Sequence, residues 1–257
     1  LEDSFLLFFV VGFLAQLVDG ALGMAYGIVS STVLLSFGVS PAAASASVHA
    51  AEVFTTAASA GSHVWHRNIN WRLFRRLAPA GICGGILGAY ILTTVDATMI
   101  RPFVAAYLAG MGVYILYRAY RQARTIENHS SAVVIPMGAI GGTLDAIGGG
   151  GWGPVVTTGL IGSGGAPREV IGTVNTSEFF VTVAISATFL TAMLTGYWQD
   201  AKGIMDHINA VLGLIVGGVL AAPLAGYATR ILPQRYLMSM VGILIMLVAG
   251  YQIVRLI

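Results

Sequence analysis

Charge is what this 257-residue chain has least of. Asp, Glu, Lys and Arg together make 9% of it, against about a quarter in soluble domains. That scarcity excludes an ordinary soluble fold, which needs a charged surface. The 13 basic residues give a net charge of +2 and are scattered over short loops. Phosphate neutralisation needs clustered cations, so a nucleic-acid surface is excluded too. The single cysteine, Cys83, lies in an apolar run. It rules out a disulfide framework and a thiolate metal site, and reads as a small buried residue. There is no HExxH or GxSxG motif, and His49 and Glu52 have no third ligand at metal spacing, so no enzyme and no cofactor is implied. Glu2 and Asp3 stand where a cleavable signal peptide would be basic.

Apolar residues fill that gap. They make up 56% of the chain, and mean hydropathy is +0.82. A chain of this length holds roughly seven to nine crossings of about 20 residues. Its 33 glycines suit close helix contacts and broken helices within a bilayer. The expectation is an all-α polytopic membrane protein.

The chain also repeats itself. Residues 19–56 align without a gap on residues 145–182, with 12 of 38 positions identical at an offset of 126. Asp19/Asp145, Gly23/Gly149, Gly27/Gly153, Pro41/Pro167, Glu52/Glu178 and Thr56/Thr182 are among the matches. Acids, glycines and hydroxyls inside apolar runs are costly in lipid and mark a pathway or a binding site. A site between two copies is the transporter pattern.

Each copy opens on a broken segment. Residues 5–18 are apolar but short for a crossing, Asp19-Gly20 interrupts them, and 21–37 form a second short run. In the second copy 132–144 lead to Asp145 and then to Gly148, Gly149, Gly150 and Gly151, a run no helix sustains. Both read as re-entrant pairs, followed by three crossings: 41–65, 77–93 and 99–117, then 167–197, 208–229 and 236–254. Ser40 and Pro41 suit a helix start, and Pro154 can begin a short helix. Residues 1–121 form the first half, 122–130 a linker and 131–257 the second half, all within one transmembrane domain. The basic loops 66–76 and 118–124 favour the cytoplasmic side. With re-entrant pairs the halves become inverted repeats, 199–207 faces outward, and the Arg230/Arg235 turn faces inward. Gly81/Gly85 and Gly84/Gly88 are small-xxx-small pairs that read first as packing devices, with homodimer contacts as the lesser alternative.

The Asp-Gly-x-x-Gly-x-x-x-Gly opening, its glycine-rich copy from Asp145 to Pro154, the Pro41 and Pro167 turns, and the tails His49-Ala50-Ala51-Glu52 and Asn175-Thr176-Ser177-Glu178 resemble the sulfite exporter TauE/SafE family. The resemblance runs over essentially the whole chain. It implies an inner-membrane permease for a small anion such as sulfite, an organosulfonate like sulfoacetate, or a small organic acid.

Glu52 and Glu178 are the leading candidates. Each lies about 11 positions into its helix, roughly 16 Å from the turn at 1.5 Å per residue. A carboxyl there is protonated or held by partners, so it either couples protons to transport or staples the broken helix of its repeat. His49 shares a face with Glu52, and its repeat mate is Asn175. Asp19 and Asp145 either cap the half-helix that follows or carry protons. Gly23, Gly149, Gly150 and Gly151 offer backbone N–H groups to an anion, with hydroxyls from Ser47, Thr56, Thr176, Ser177 and Thr182. Trp152 and Tyr26 wall a cavity or simply pack. Arg168 and Glu169 read as an interfacial pair. An anion channel and a proton-coupled importer remain the alternatives to an exporter.

Overall fold

The computed structural model describes residues 5–120, 130–163, 165–198, 207–231 and 234–256. The linker 122–129, most of the 199–207 loop, Gly164, Glu2 and Asp3 lie outside that set, as does the Arg230 side chain. The described chain is helical: α1 (Phe5–Leu22), α2 (Tyr26–Ser36), α3 (Pro41–Trp65), α4 (Trp71–Thr94), α5 (Ala97–Ala119), α6 (Ser131–Gly148), a π-turn (Gly153–Thr157), α7 (Thr158–Gly162), α8 (Pro167–Leu194), α9 (Ile208–Ile231) and α10 (Gln234–Leu256). Among the described residues, Trp71–Thr94, Pro102–Ala119, Ser131–Gly148 and Arg168–Leu194 are long and apolar enough to cross a membrane.

Two helix starts follow from capping. The Ser40 hydroxyl accepts from the Ala43 N–H at 3.3 Å with Pro41 beginning the first turn. Asn70 Oδ1 accepts from the N–H groups of Arg72 and Leu73 at 3.2 and 3.1 Å. That second cap corrects the expectation of an interfacial loop over 66–76. Only 66–70 is loop, and the arginines at 72, 75 and 76 ride on the first turns of α4. A second correction concerns the first break. Helix α1 runs through Asp19 and Gly20 to Leu22, and the chain leaves helical geometry at 23–25, where Gly23 has φ +66° and Ala25 φ +120°. Asp19 tolerates the last turn of a helix, and the positive φ angles four and six residues later make the break. Likewise α6 extends to Gly148, and Gly149 (φ +67°) and Gly150 (φ +155°) form the second break. Cys83 is exposed on α4 rather than buried.

Both broken pairs return to the side they came from. The Phe8 ring near the start of α1 lies 6.0 Å from Phe37 just beyond α2, so this pair is re-entrant. Met137 near the start of α6 meets Gly159 in α7, which closes the second pair in the same way. Each pair packs on the helix of the other half. Helix α1 lies along α9, and α6 along α4, with α3 on α8 and α5 on α10. The contacts exchange at the repeat offsets. Gly12 abuts Leu214, and Gly138 abuts Leu77; Gly218 meets Tyr26 and Thr55, and Gly81 meets Trp152 and Val181. Gly84 and Gly88 put bare backbone against the carbonyls of Ala139 and Thr143, while Gly81 and Gly85 face Trp152, Val181 and Ile185. The small-xxx-small pairs are therefore consumed inside the monomer, on two adjacent faces of α4.

Helices α3 and α8 run antiparallel. Arg168 at the start of α8 donates to Asn68 Oδ1 at 2.6 Å and to the His66 carbonyl at 3.4 Å, just past the end of α3. Glu169 accepts from Asn70 Nδ2 at 3.4 Å. Both residues thus tie α8 to the 66–70 loop instead of pairing with each other. The same face carries Arg118, which donates to the Thr158 carbonyl, and Arg235, whose guanidinium lies 4.3 Å over the Tyr120 ring. It is termed the basic face below. At the opposite face Ser40, Thr94, Asp96, Tyr197 and Trp198 gather around one cavity.

These contacts set a contrast between two glycines. Gly84→Val drives a branched side chain into the Ala139 carbonyl and should lower the melting temperature in detergent micelles or prevent folding, since overpacking costs about 1–3 kcal/mol or more. Gly110 has nothing within 4 Å of an added Cβ. Gly110→Ala should leave the melting temperature unchanged or raise it by the equivalent of up to about 1 kcal/mol.

Candidate functional site

The two breaks meet at the centre of the bundle. Gly27 sits against Gly150 and the Gly149 carbonyl, and Gly153 against Met24 and the Gly23 carbonyl. A Cβ at Gly150 would overlap the Ile28 backbone, so this crossing needs glycine. In lipid no water satisfies the amides a break exposes, and protein must do so. Asp145 Oδ1 accepts from the Trp152 N–H at 2.9 Å, and Asp19 Oδ1 from the Tyr26 N–H at 3.3 Å. Each Asp thus spans its own break, seven residues on, in the same way. Thr157 crosses between copies, donating to the Gly23 carbonyl at 2.8 Å.

The anion cradle expected of the glycine amides is largely used up in this conformation. The N–H of Gly23 goes to the Asp19 carbonyl, and those of Gly149 and Gly150 to the Asp145 carbonyl. Gly151 instead abuts the Tyr107 hydroxyl. Of the hydroxyls, Thr56, Thr176 and Ser177 donate to carbonyls one turn back in their own helices. Ser47 Oγ, Thr182 Oγ1, Ser30 Oγ, Thr32 Oγ1, Tyr107 OH and Glu52 Oε2 are buried without a hydrogen-bond partner among the described residues. Unpaired buried polar groups are uncommon and costly. Of these, Glu52 and Tyr107 stand at the crossing itself, against Gly27 and against Gly148 and Gly151.

His49 joins the halves. Its Nδ1 lies 2.8 Å from the Ser45 carbonyl, an acceptor only, so Nδ1 carries a hydrogen and donates it. Its Nε2 lies 3.2 Å from Asp145 Oδ2 and 3.9 Å from Glu52 Oε2. One proton is therefore shared across the Nε2–Oδ2 contact, as imidazolium with carboxylate or as imidazole with carboxylic acid. Ser45 completes the link by donating to the Ala146 carbonyl at 2.5 Å. Glu52 Oε1 rests against Gly27. Glu178 lies within electrostatic reach of Asp19, Glu52 and Asp145, and no hydrogen bond reaches its carboxyl among the described residues. Asp19, His49, Glu52, Asp145, Asn175 and Glu178 are all buried.

The halves differ where the repeat would make them alike. His49 pairs with Asp145, whereas Asn175, its mate, turns its Nδ2 to His63 Nε2 at 3.3 Å and not to Asp19. Trp152 and Tyr26 are both buried and bonded across the bundle, Trp152 Nε1 donating to the Val174 carbonyl at 3.2 Å and the Tyr26 hydroxyl to the Leu214 carbonyl at 2.8 Å. Ser45 and Tyr107 escaped the sequence reading. Ser45 precedes His49 by one helical turn, a signal that was there to be used. Tyr107 in α5 gave none, since it lies outside the aligned stretch.

The sulfite exporter TauE/SafE family profile matches residues 8–252. The chain belongs to that family. This TauE/SafE protein is 39% identical over 246 residues to the probable membrane transporter protein YtnM of Bacillus subtilis (strain 168), covering 93% of this chain and 78% of that one. No solved structure matches it significantly. Family, relative and fold agree that it is a multi-pass membrane transporter. Of the motif residues that carry the resemblance, Asp19, Gly23, Gly27 and Glu52 from the first copy and Asp145, Gly149, Gly150 and Gly153 from the second lie at the crossing of the breaks.

Asp145 has separable duties in this TauE/SafE protein. Asp145→Asn keeps an oxygen for the Trp152 N–H and should stay within about 1 kcal/mol of wild-type stability. Asp145→Ala orphans a buried amide and should lose about 1–3 kcal/mol, as measured by denaturant unfolding in mixed micelles.

Proposed function

We propose that the protein is a secondary carrier of a small anion, with protons moving alongside the substrate through the buried carboxyl cluster. The observation that carries this reading is the gathering of four buried carboxyls, Asp19, Glu52, Asp145 and Glu178, within electrostatic reach of one another where the two breaks touch, with one imidazole, His49, set against Asp145 and Glu52. Four carboxyls in a dry setting cannot all bear charge with one counter-group, because isolated buried charge is prohibitive. An anion is repelled while the carboxyls are ionised and accepted once they hold protons. Substrate and proton therefore favour each other's binding, which is the thermodynamic content of coupling. Glu52 and Glu178 are assigned the coupling role, since Asp19 and Asp145 are already engaged by backbone amides. His49 supplies the positive end toward the anion, and Ser47, Thr182 and Tyr107 supply hydroxyl donors.

The substrate class is a compact oxyanion: sulfite, as in the family's description, an organosulfonate such as sulfoacetate, or a small carboxylate. Hydroxyl donors around an imidazole suit all three. The exchange of contacts between halves and the antiparallel course of α3 and α8 support reading 1–121 and 131–257 as inverted repeats, the architecture in which a central site is opened alternately to each side. The basic face is assigned to the cytoplasm by its arginines at 67, 72, 75, 76, 118, 168 and 235.

The test is flux into liposomes of sulfite, sulfoacetate and a small carboxylate, with and without a pH gradient. Wild type should show gradient-dependent flux of at least one of them. Glu52→Gln and Glu178→Gln should each cut it by about tenfold or more, equivalent to roughly 1.4 kcal/mol. Gradient-indifferent flux of all three anions that survives both substitutions would overturn the carrier and establish a channel.

A further inference from the structure

Positions 63 and 189 are repeat mates at the offset of 126, and each stands between the cluster and one face of the membrane. Their chemistry is opposite. Toward the face away from the arginines, the Phe189 ring lies 6.4 Å from the His49 ring and 5.7 Å from Trp198. Trp198 in turn lines the cavity of about 260 Å³ with Ser40, Thr93, Asp96 and Tyr197. Both rings are buried, so among the described residues an aromatic pair stands between that vestibule and His49, and neither ring can carry a proton. Toward the basic face the mate is His63. Its Nε2 lies 3.3 Å from Asn175 Nδ2 and its Nδ1 3.4 Å from Asn68 Nδ2. Asn175 is one helical turn before Glu178, on the same face of α8.

We propose that in the conformation described the carboxyl cluster exchanges protons with the basic face alone, through His63, while Phe189 and Trp198 keep it from the opposite face, which it reaches only when the carrier opens to that side. This rests on the carrier reading for its consequence and for its uptake assay, but not for its leak assay. An imidazole is neutral with one donor and one acceptor nitrogen, or cationic with two donors. Asn68 and Asn175 fit either state, because an amide turned over offers oxygen in place of N–H. His63 thus takes a proton on Nδ1 from water at the basic face and releases one from Nε2 to the Glu178 carboxylate once the Asn175 amide swings aside. The carboxylate becomes carboxylic acid, and the imidazole returns to neutral with its hydrogen on the other nitrogen. The charged and titratable groups around this imidazole are His66 just past the end of its own helix, Arg168, which bonds Asn68 and the His66 carbonyl, and Glu169, bonded to Asn70. None of them has a counterpart in the aromatic layer formed by Phe189 and Trp198. Two-fold-related positions with unlike side chains give a symmetric scaffold a direction.

The experiment is a proton-leak assay in substrate-free proteoliposomes carrying an internal pH dye, so it needs no knowledge of the substrate. Wild type should hold an imposed pH gradient. Phe189→His places an imidazole in both mates and should dissipate the gradient at least about tenfold faster. Adding His63→Phe to that variant should restore tightness. His63→Phe alone should abolish gradient-driven anion uptake while leaving anion-for-anion exchange without a gradient in place, and His63→Gln should behave as His63→Phe does. If monodisperse Phe189→His stays tight, or if His63→Phe retains gradient-driven uptake, the proposal is overturned. Should Phe189→His fail to fold, the two His63 variants decide alone, since that position is only half-buried. A substrate outside the classes tested would void the uptake assay without touching the leak assay, so failure of the carrier reading and failure of this one are distinguishable.

Discussion

A backbone amide that leaves a helix inside lipid must find an acceptor, and the organisation of this protein follows from how it meets that demand twice. Asp19 and Asp145 each bridge a break to the N–H seven residues later. Without those carboxylates the breaks would strand polar groups in a medium that cannot solvate them. With them, two irregular stretches of backbone survive at depth and can touch through glycine. The same carboxylates bring negative charge to the point of contact. An acid used as a cap cannot be separated from an acid that shapes the local field, so structure and transport chemistry share atoms here. Asp145 holds Trp152 with one oxygen and faces His49 with the other.

The energetics of the rest of the bundle serve that crossing. Lipid provides no hydrophobic drive between helices, so close backbone approach is the main source of cohesion. The glycine faces of α4 and α9 give it, each against the broken segment of the other half. The breaks are thus clamped by the helices that can come nearest to them. Ala25, at φ +120°, is a residue without glycine's freedom at a conformation that favours glycine, and such strain persists only where surroundings over-determine it. It lies in the first break.

Much of this was legible in residues. The ungapped repeat picked out both acids and brought the reading to within a few residues of both breaks, because lipid penalises an acid in an apolar run unless a site or a backbone break requires it. Helix α3 could be bounded by Ser40 and Pro41 alone. Where the reading missed, local signals were weak or pointed elsewhere. Asp19 looks like the break but belongs to the helix before it, since an acid at a C-terminal turn bridges forward as easily as it interrupts. The start of α4 at Trp71 was hidden by arginines that resemble a loop and ride on a capped helix. The amides of Gly23, Gly149 and Gly150 were expected to be free, yet a positive φ folds each back onto the Asp carbonyl of its own break. The pairing of His49 with Asp145 joins residues 96 apart, and the repeat points to no such partner because its mate is asparagine. Tyr107 has no local signature at all and is visible only once α5 lies against Gly148 and Gly151.

The interleaving of the halves also bears on how the chain is made. During synthesis the first half reaches the membrane with α1 and α2 before α9 exists, and α4 waits for α6. A re-entrant pair has no stable resting place in lipid by itself, and the first pair lacks its partner until α9, with its glycine face, is inserted roughly 190 residues later. The nascent first half must therefore be sheltered, at the interface or by the insertion machinery, until translation supplies its other side. Order of birth and order of packing are at odds in this fold, and the last helices to arrive are those that seal the first.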